Sequence, residues 1–98
     1  MYDVQFTKQA IKDTAYIEQA GLKQKAVDII NTIRNNPFEN SQNFEKLKYD
    51  LKGAYSRRIT RQHRFVYEVL PNMCQKRDMD GNLFDGFIKV ISLWNHYE

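Results

Sequence analysis

A β-hairpin is predicted by the central stretch of the chain, YSRRITRQHRFVYEVL, which spans Tyr55–Leu70. Apolar and polar residues alternate along much of it, as expected for strands that bury one face. The first strand runs from Tyr55 to Thr60 and the second from Arg64 to Leu70, joined across residues 61–63. Alternation divides the second strand into two faces, with Phe65, Tyr67 and Val69 on one and Arg64, Val66, Glu68 and Leu70 on the other.

Two helices are predicted before this hairpin, and a short strand at Tyr2–Phe6 precedes them. Thr7 is a suitable N-cap for the first helix, which Gly21 ends. Ala10, Ile11, Thr14, Ala15 and Ile17 recur along it at helical spacing. The stripe of the second helix is Leu22, Ala26, Ile29, Ile30 and Ile33, and the helix ends before Pro37. We interpret both stripes as core-facing.

The remaining segments add strands to the sheet. Residues 44–48 form a short extended segment, and the last strand runs from about Phe87 to Tyr97, with Ile88, Val90, Ser92, Trp94 and His96 on one face. Residues 71–86 contain two Asp-Gly turn signals and predict an extended, protruding hairpin. The sequence therefore predicts an α+β fold in which two N-terminal helices pack on one twisted, mainly antiparallel sheet.

Length and composition restrict the class of protein. The 98 residues are expected to form one domain, residues 1–98. No apolar run approaches the roughly 20 residues of a membrane-spanning helix, and no signal-peptide pattern is seen, so we expect a soluble, unexported protein. Cys74 is the single cysteine, and no Cys/His set has metal-ligand spacing. We expect chemistry that uses no bound metal or other cofactor.

Positive charge is concentrated in the middle of the chain. The net charge is only +3, but one stretch contains Lys46, Lys48, Lys52, Arg57, Arg58, Arg61 and Arg64 with two acids. Such a local field favours phosphate groups. Charge alone does not exclude the alternative, in which this basic stretch is a solvated surface without a binding function.

Several motifs together resemble one known family. They are Glu45-x-x-Lys48, Ser56-Arg57-Arg58-Ile59-Thr60, His63-Arg64-x-Val66-Tyr67 and the final His96-Tyr97, preceded by Asn36-Pro37-Phe38-Glu39. Their combination at fixed spacing is similar to the YoeB/Txe toxins of the RelE superfamily. The resemblance implies the RelE (microbial ribonuclease-like) fold and cleavage of mRNA in the ribosomal A site, in the cytoplasm. It also implies neutralisation by a YefM/Axe-like antitoxin and a possible homodimer.

The resemblance implies three catalytic residues, and each suits cleavage of RNA through its own 2′-hydroxyl. Glu45 would be the general base, kept ionised by Lys46 and Lys48. Arg64 would lie over the scissile phosphate, where a guanidinium stabilises developing charge. His96 would be the general acid. The alternatives are a surface ion pair for Glu45, a strand-surface arginine for Arg64 and a structural histidine for His96.

Three more residues are expected to bind RNA or its phosphates: Lys48, Arg58 and Tyr97. Strand parity, however, separates Glu45 from Lys48 unless the chain bends. Arg57 and Arg61 have the opposite parity to Arg58 and are expected to contact ribosomal RNA, antitoxin or solvent. His63, in the predicted turn, is expected to be structural or a peripheral RNA contact.

The chain departs from the family pattern in two places. Glu98 follows the terminal tyrosine and could raise the pKa of His96 or repel RNA. The 71–86 hairpin could alter ribosome docking, antitoxin contact or dimerisation, or be a tolerated insertion. Two other functions stay open: a ParE-like gyrase-inhibiting toxin, and a non-catalytic RNA- or antitoxin-binding module.

Overall fold

The computed structural model describes residues 1–48 and 52–96. Two helices and five strands follow one another along these residues. They are β1 (Asp3–Phe6), α1 (Lys8–Gln19), α2 (Lys23–Asn35), β2 (Glu45–Lys46), β3 (Ala54–Arg58), β4 (His63–Pro71) and β5 (Gly86–His96). The predicted helices and strands are therefore present.

The described strands form one sheet in the order β1-β5-β4-β3-β2. β1 pairs with β5 in parallel, and the other neighbouring pairs are antiparallel. β3 and β4 form the predicted hairpin. The α+β prediction of two helices on a mainly antiparallel sheet is confirmed.

Helix α1 begins where the sequence predicts. The Thr7 hydroxyl accepts a hydrogen bond from the Ala10 amide at 3.1 Å and donates one to the Ile91 carbonyl at 2.8 Å. The first contact satisfies an otherwise unpaired helix donor, and the second joins the start of α1 to β5. Gly21 follows the helix with φ +72°, a conformation that costs glycine little.

The helices cover one face of the sheet. Its hydrophobic core contains Ala10, Ile17, Ala26, Ile29, Ile33, Ile59, Phe65, Tyr67, Ile88, Val90 and Leu93. Each large aliphatic or aromatic side chain buried here contributes about 1.5–3 kcal/mol relative to leaving it in water. The predicted stripe of α2 is confirmed. For α1 the stripe is partly wrong, because Ile11 is 59% exposed whereas Asp13 is 2% exposed.

Strand β5 departs from regular alternation. Val66 pairs with Ser92 and Arg64 with Asn95, so Leu93 and Trp94 stand opposite Phe65 alone. This irregularity is a β-bulge, and it changes which face the following residues share. Leu93 joins the core because of an earlier shift: Tyr67 pairs with Val90 and Val66 with Ser92, so Ile91 is an extra residue that reverses the alternation expected from the sequence. The predicted strand end at Tyr97 lies outside the described residues.

Residues 71–86 form the predicted extended hairpin, closed by an isolated bridge between Arg77 and Leu83. The hairpin is attached to the N-terminal segment, because Lys76 Nζ lies 2.7 Å from an Asp3 carboxylate oxygen and the Asp85 amide donates to the Met1 carbonyl at 3.0 Å. In the part of the chain that the structure describes, no helix is long and apolar enough to cross a membrane.

Candidate active site

The helix-free face of the sheet carries the candidate site. Across it, Glu45 of β2 pairs with Ser56 of β3, Ser56 with Val66 of β4, and Val66 with Ser92 of β5. Directly paired residues share a face, so Glu45 projects on the same side as this row. Ser56, Val66 and Ser92 are buried, which makes the row the floor of the site.

A second row lies two residues further along the strands. Arg58 pairs with Arg64, and Arg64 pairs with Asn95. Glu45 and Arg64 are separated by two strand spacings of about 4.8 Å and two residues of about 3.4 Å each, which gives about 12 Å between their Cα atoms. Both side chains are long enough to reach one phosphodiester placed between them. The fold therefore brings Glu45, Arg58 and Arg64 to one face.

Arg64 has an unusual environment. Its Nη1 atom is shielded from solvent and makes no hydrogen bond with any residue in the described part of the chain. A buried charged donor without a partner is costly and rare in a folded protein. An anion brought by a substrate would satisfy it. Arg64 is therefore not an ordinary strand-surface arginine.

Arg58 is held in place by the loop before β2. With the Asn43 amide oxygen facing it, all three nitrogens of the Arg58 guanidinium lie 2.9–3.1 Å from that oxygen. The Arg58 side chain is otherwise exposed. It is thus a positioned cation on the same face as Arg64, and its predicted phosphate binding stays a prediction.

Glu45 is exposed, and no lysine or arginine nitrogen among the described residues lies within 4.0 Å of its carboxylate. Within that part of the chain, the surface ion pair considered for this residue is not formed. Lys48 lies beyond the end of β2 and lines a separate groove with Lys46 and Lys52. The described geometry therefore does not bring Lys48 to the row that contains Arg58 and Arg64.

Arg57 was predicted to contact RNA, antitoxin or solvent, and this prediction is wrong. Its side chain is fully buried. Its nitrogens donate to the Tyr67 hydroxyl at 3.0 Å and to the carbonyls of Pro37, Glu39 and Ser41 at 3.2, 2.7 and 2.8 Å. Loop 37–44 has no regular secondary structure, and these bonds satisfy its carbonyls. Arg57 therefore holds the segment that leads to Glu45.

Asp13 is a second buried charged residue that the sequence interpretation missed. Its carboxylate accepts hydrogen bonds from the amides of Leu93 and Trp94 at 2.9 and 3.2 Å, and from the Gln9 side chain at 2.8 Å. The two amides belong to the β5 bulge. Helix α1 thus supplies the acceptor that the bulge lacks in the sheet, immediately before the segment that pairs with Arg64.

His63 is the first residue of β4 and is buried, so its predicted position in the turn is wrong. Its ring stacks on Trp94, with centroids 3.7 Å apart and planes 13° apart, and Trp94 in turn stacks on Tyr16 of α1 at 5.7 Å. Of the two roles expected for His63, a structural role describes it better than a peripheral RNA contact.

The C-terminal candidates are placed only in part. The backbone of His96 pairs with His63, one position from the pairing of Asn95 with Arg64. The last strand therefore ends beside the Arg64 row. The side chain of His96, all of Tyr97 and the extra Glu98 lie outside what the structure describes, and their predicted roles stay predictions.

Local signals for the two buried charges existed in the sequence. Asp13 lies three residues after Ala10 and four before Ile17, which places it on the buried side of α1. Arg57 has the strand parity of Tyr55 and Ile59, both apolar. Helical and strand spacing thus marked both positions as inward-facing.

Among the side chains that the structure describes, no group of three or more His, Cys, Asp or Glu residues is arranged to hold a metal ion.

Comparison with known proteins supports the fold and the family. A structure described as a YoeB/ParE toxin from Agrobacterium tumefaciens superposes with a TM-score of 0.78 at 29% identity, over 97% of this chain and 99% of that one. The YoeB dimer from Staphylococcus aureus gives 0.72 at 31% identity, with 98% of each chain covered. A YoeB–YefM complex from the same organism gives 0.70 at 31% identity, with 99% of each chain covered.

Sequence comparison agrees. Toxin YoeB of Escherichia coli O6:H1 is 48% identical over 46 residues, which cover 47% of this chain and 55% of that protein. The match thus spans about half the length of that relative. Residues 6–97 match the family described as the YoeB-like toxin of bacterial type II toxin–antitoxin systems.

The two-helix, five-stranded fold and these likenesses define a bacterial toxin of the RelE-like class. Within that class, the chain belongs to the YoeB-like toxins of type II toxin–antitoxin systems, since the family match covers nearly all of its residues.

Proposed function

We propose that this toxin is a ribosome-dependent endoribonuclease that cleaves mRNA in the ribosomal A site without a catalytic metal. Arg64 carries the proposal, because its Nη1 is buried without a partner among the described residues, on the face that also presents Glu45 and Arg58. A pre-positioned cation of this kind stabilises charge that develops during a reaction.

The proposed reaction is transfer of the phosphoryl group to the neighbouring 2′-oxygen. Glu45 takes the proton from the 2′-hydroxyl, the 2′-oxygen bonds to phosphorus, and the bond from phosphorus to the 5′-oxygen breaks. His96 gives a proton to the leaving 5′-oxygen, and Arg64 with Arg58 neutralises the phosphorane. The products are a 2′,3′-cyclic phosphate and a 5′-hydroxyl. Tyr97 would stack on a base or bond to a phosphate.

Partners are proposed from the relatives. The S. aureus structures are of a YoeB dimer and of a YoeB–YefM complex. We infer that a YefM/Axe-like antitoxin neutralises this toxin and that the toxin can form a homodimer. Its substrate would be mRNA on the ribosome, which places it in the cytoplasm.

Single-turnover cleavage on programmed ribosomes tests the site. Arg64→Ala should lower the rate on the order of 100-fold or more, because a bond to the developing charge is lost. Glu45→Ala and His96→Ala should each lower it by roughly 100- to 10,000-fold if they transfer protons in the slow step. Lys89→Ala removes an exposed β5 charge and is the control, with little effect expected. Wild-type rates in all three site variants, once folding and ribosome binding are shown, would exclude this site.

A further inference from the structure

A basic groove adjoins the candidate active site. It lies between the start of α2, the loop before β2 and the turn after β3, and has a volume of about 490 Å³. Lys25, Arg58 and Arg61 are its cations, and Asp28 is the acid among its lining residues. The volume is within the range of about 300–1,000 Å³ found for small-ligand sites, enough for a nucleotide unit.

The groove is continuous with the catalytic face. Arg58 lines it and also pairs directly with Arg64 across the β3–β4 ladder. Any polymer whose phosphate lies on Arg64 and Arg58 therefore has this groove as a path for its next unit.

One wall of the groove is built from strained but firmly held backbone. Gln42 and Asn43 have φ values of +53° and +54°, a left-handed conformation that few non-glycine residues adopt. The Arg58 amide donates to the Gln42 carbonyl at 2.8 Å, and the buried Arg57 binds the preceding Ser41 carbonyl at 2.8 Å. Strain of this kind costs about 1–3 kcal/mol per residue and concentrates at functional sites.

The groove's outer cations are available to a ligand. The side chains of Lys25 and Arg61 are exposed and make no hydrogen bond or ion pair with the described residues. Asp28 already accepts a hydrogen bond from the Gln24 side chain at 2.8 Å. The groove thus offers two free positive side chains beyond Arg58, and its apolar floor contains Ile29 and Ile59 but no aromatic ring on which a base could stack.

We propose that this groove is a subsite for the sugar-phosphate backbone of the RNA nucleotides next to the scissile phosphate, with Lys25 and Arg61 as their phosphate contacts. The inference rests on the proposed function. Because the contacts are ionic and the groove has no stacking platform, the subsite favours RNA of any sequence. RNA is favoured over an acidic peptide because the groove begins at the arginine that pairs with Arg64.

The test measures binding of uncleavable RNA to the purified toxin at several salt concentrations. The probe is a single-stranded oligonucleotide of six 2′-O-methyl nucleotides, compared with the corresponding dinucleotide. The variant Lys25→Ala/Arg61→Ala is matched by Lys8→Ala/Lys12→Ala, which removes two exposed charges from α1 outside the groove.

For the hexanucleotide, the groove variant should bind more weakly, and its slope of log K against log salt should be shallower by about 1.4, or 0.7 for each lost phosphate contact. The α1 control should match the wild type. For the dinucleotide, which fills only the scissile position, the groove variant should also match the wild type.

If the groove variant and the wild type bind the hexanucleotide with equal slopes of log K against log salt, the proposed subsite is wrong. The same conclusion would follow if the groove variant kept RNA binding but lost affinity for an acidic antitoxin peptide. Because the probe cannot be cut, this result is separate from the proposed function. A toxin that binds RNA through the groove but cuts no message would leave the subsite standing and refute the nuclease proposal.

Discussion

Arg64 combines two properties that seldom occur together, a strand position in a sheet and a shielded donor without a partner among the described residues. Burial lowers the local dielectric, so a charge placed against this guanidinium is stabilised more than in water. An anion bound against this guanidinium would remove the free-energy cost of the unpaired donor. Arg64 is thus suited to a transition state richer in charge than the ground state.

Arg64→Lys tests whether geometry or charge alone is required. Lysine keeps the charge but offers a point donor, whereas the guanidinium makes two parallel bonds to phosphate oxygens. We expect a single-turnover rate between those of wild type and Arg64→Ala, with the loss in the chemical step and not in ribosome affinity. A lysine variant as fast as wild type would show that a bidentate contact is not used.

At the scale of elements, the β5 bulge is stabilised by a helix. The Asp13 carboxylate of α1 accepts hydrogen bonds from both bulge amides. The bulge changes the parity of β5 and sets Asn95 opposite Arg64. Packing of α1 on the sheet is therefore linked to the strand that ends at the site.

Asp13→Ala should destabilise the protein by roughly 1–3 kcal/mol for each buried amide left without a partner. Asp28→Ala is the matched control, because Asp28 also accepts from a glutamine four residues earlier but is exposed, and its loss should change stability by about 0.5 kcal/mol or less. Urea unfolding of the two variants measures the difference. Equal midpoints would contradict the assigned role of Asp13.

Tyr67, whose hydroxyl bonds to Arg57 and to the Pro37 carbonyl, makes the free energy of unfolding depend on pH. Burial raises the pKa of Tyr67 above its ordinary 10.0, and this outweighs the hydrogen bond and charge of Arg57, which lower it. The folded protein then holds the phenolic proton more tightly than the unfolded chain does. Its stabilising effect is complete below pH 10 and is lost as the pH rises through the folded-state pKa.

Tyr67→Phe should consequently flatten the fall in unfolding free energy above pH 10. At neutral pH the variant should be less stable, because the hydroxyl bonds to Arg57 and to the Pro37 carbonyl, at 3.0 and 2.6 Å, are lost. Chemical denaturation at several pH values provides the measurement. Parallel pH curves for the variant and the wild type would refute the buried, protonated tyrosine.

Periodicity in the sequence was sufficient to predict the helices, the strands and the central hairpin, because each depends on local alternation or spacing. It failed where a long-range contact decided the outcome. The Leu93–Trp94 bulge depends on a carboxylate 80 residues earlier in the chain, and Arg57 is buried because loop 37–44 folds over it. The family resemblance predicted Glu45, Arg58 and Arg64 as site residues. The strand pairing in the structure shows that they lie on the same face of the sheet.

In the molecule as a whole, the two faces of the sheet have different roles. The face under the helices forms the core, and the opposite face carries the candidate site. The helices bury one face, while the opposite face is open to a polyanion and the basic groove lies at its edge, beside the start of α2. A net charge of +3 is small, so attraction to any polyanion depends on where the charges lie. The same fold is compatible with a ParE-like toxin that inhibits gyrase, and only the chemistry of the open face distinguishes the two.

Attack by the 2′-hydroxyl can be tested on programmed ribosomes with an mRNA that has one 2′-deoxynucleotide in the A-site codon. Normal message is expected to be cut in the A site, leaving a 2′,3′-cyclic phosphate and a 5′-hydroxyl. Message without the 2′-hydroxyl at the scissile position should stay intact, because the attacking oxygen is missing. Equal cutting of both messages, or no cutting of either while gyrase is inhibited, would contradict the proposed reaction.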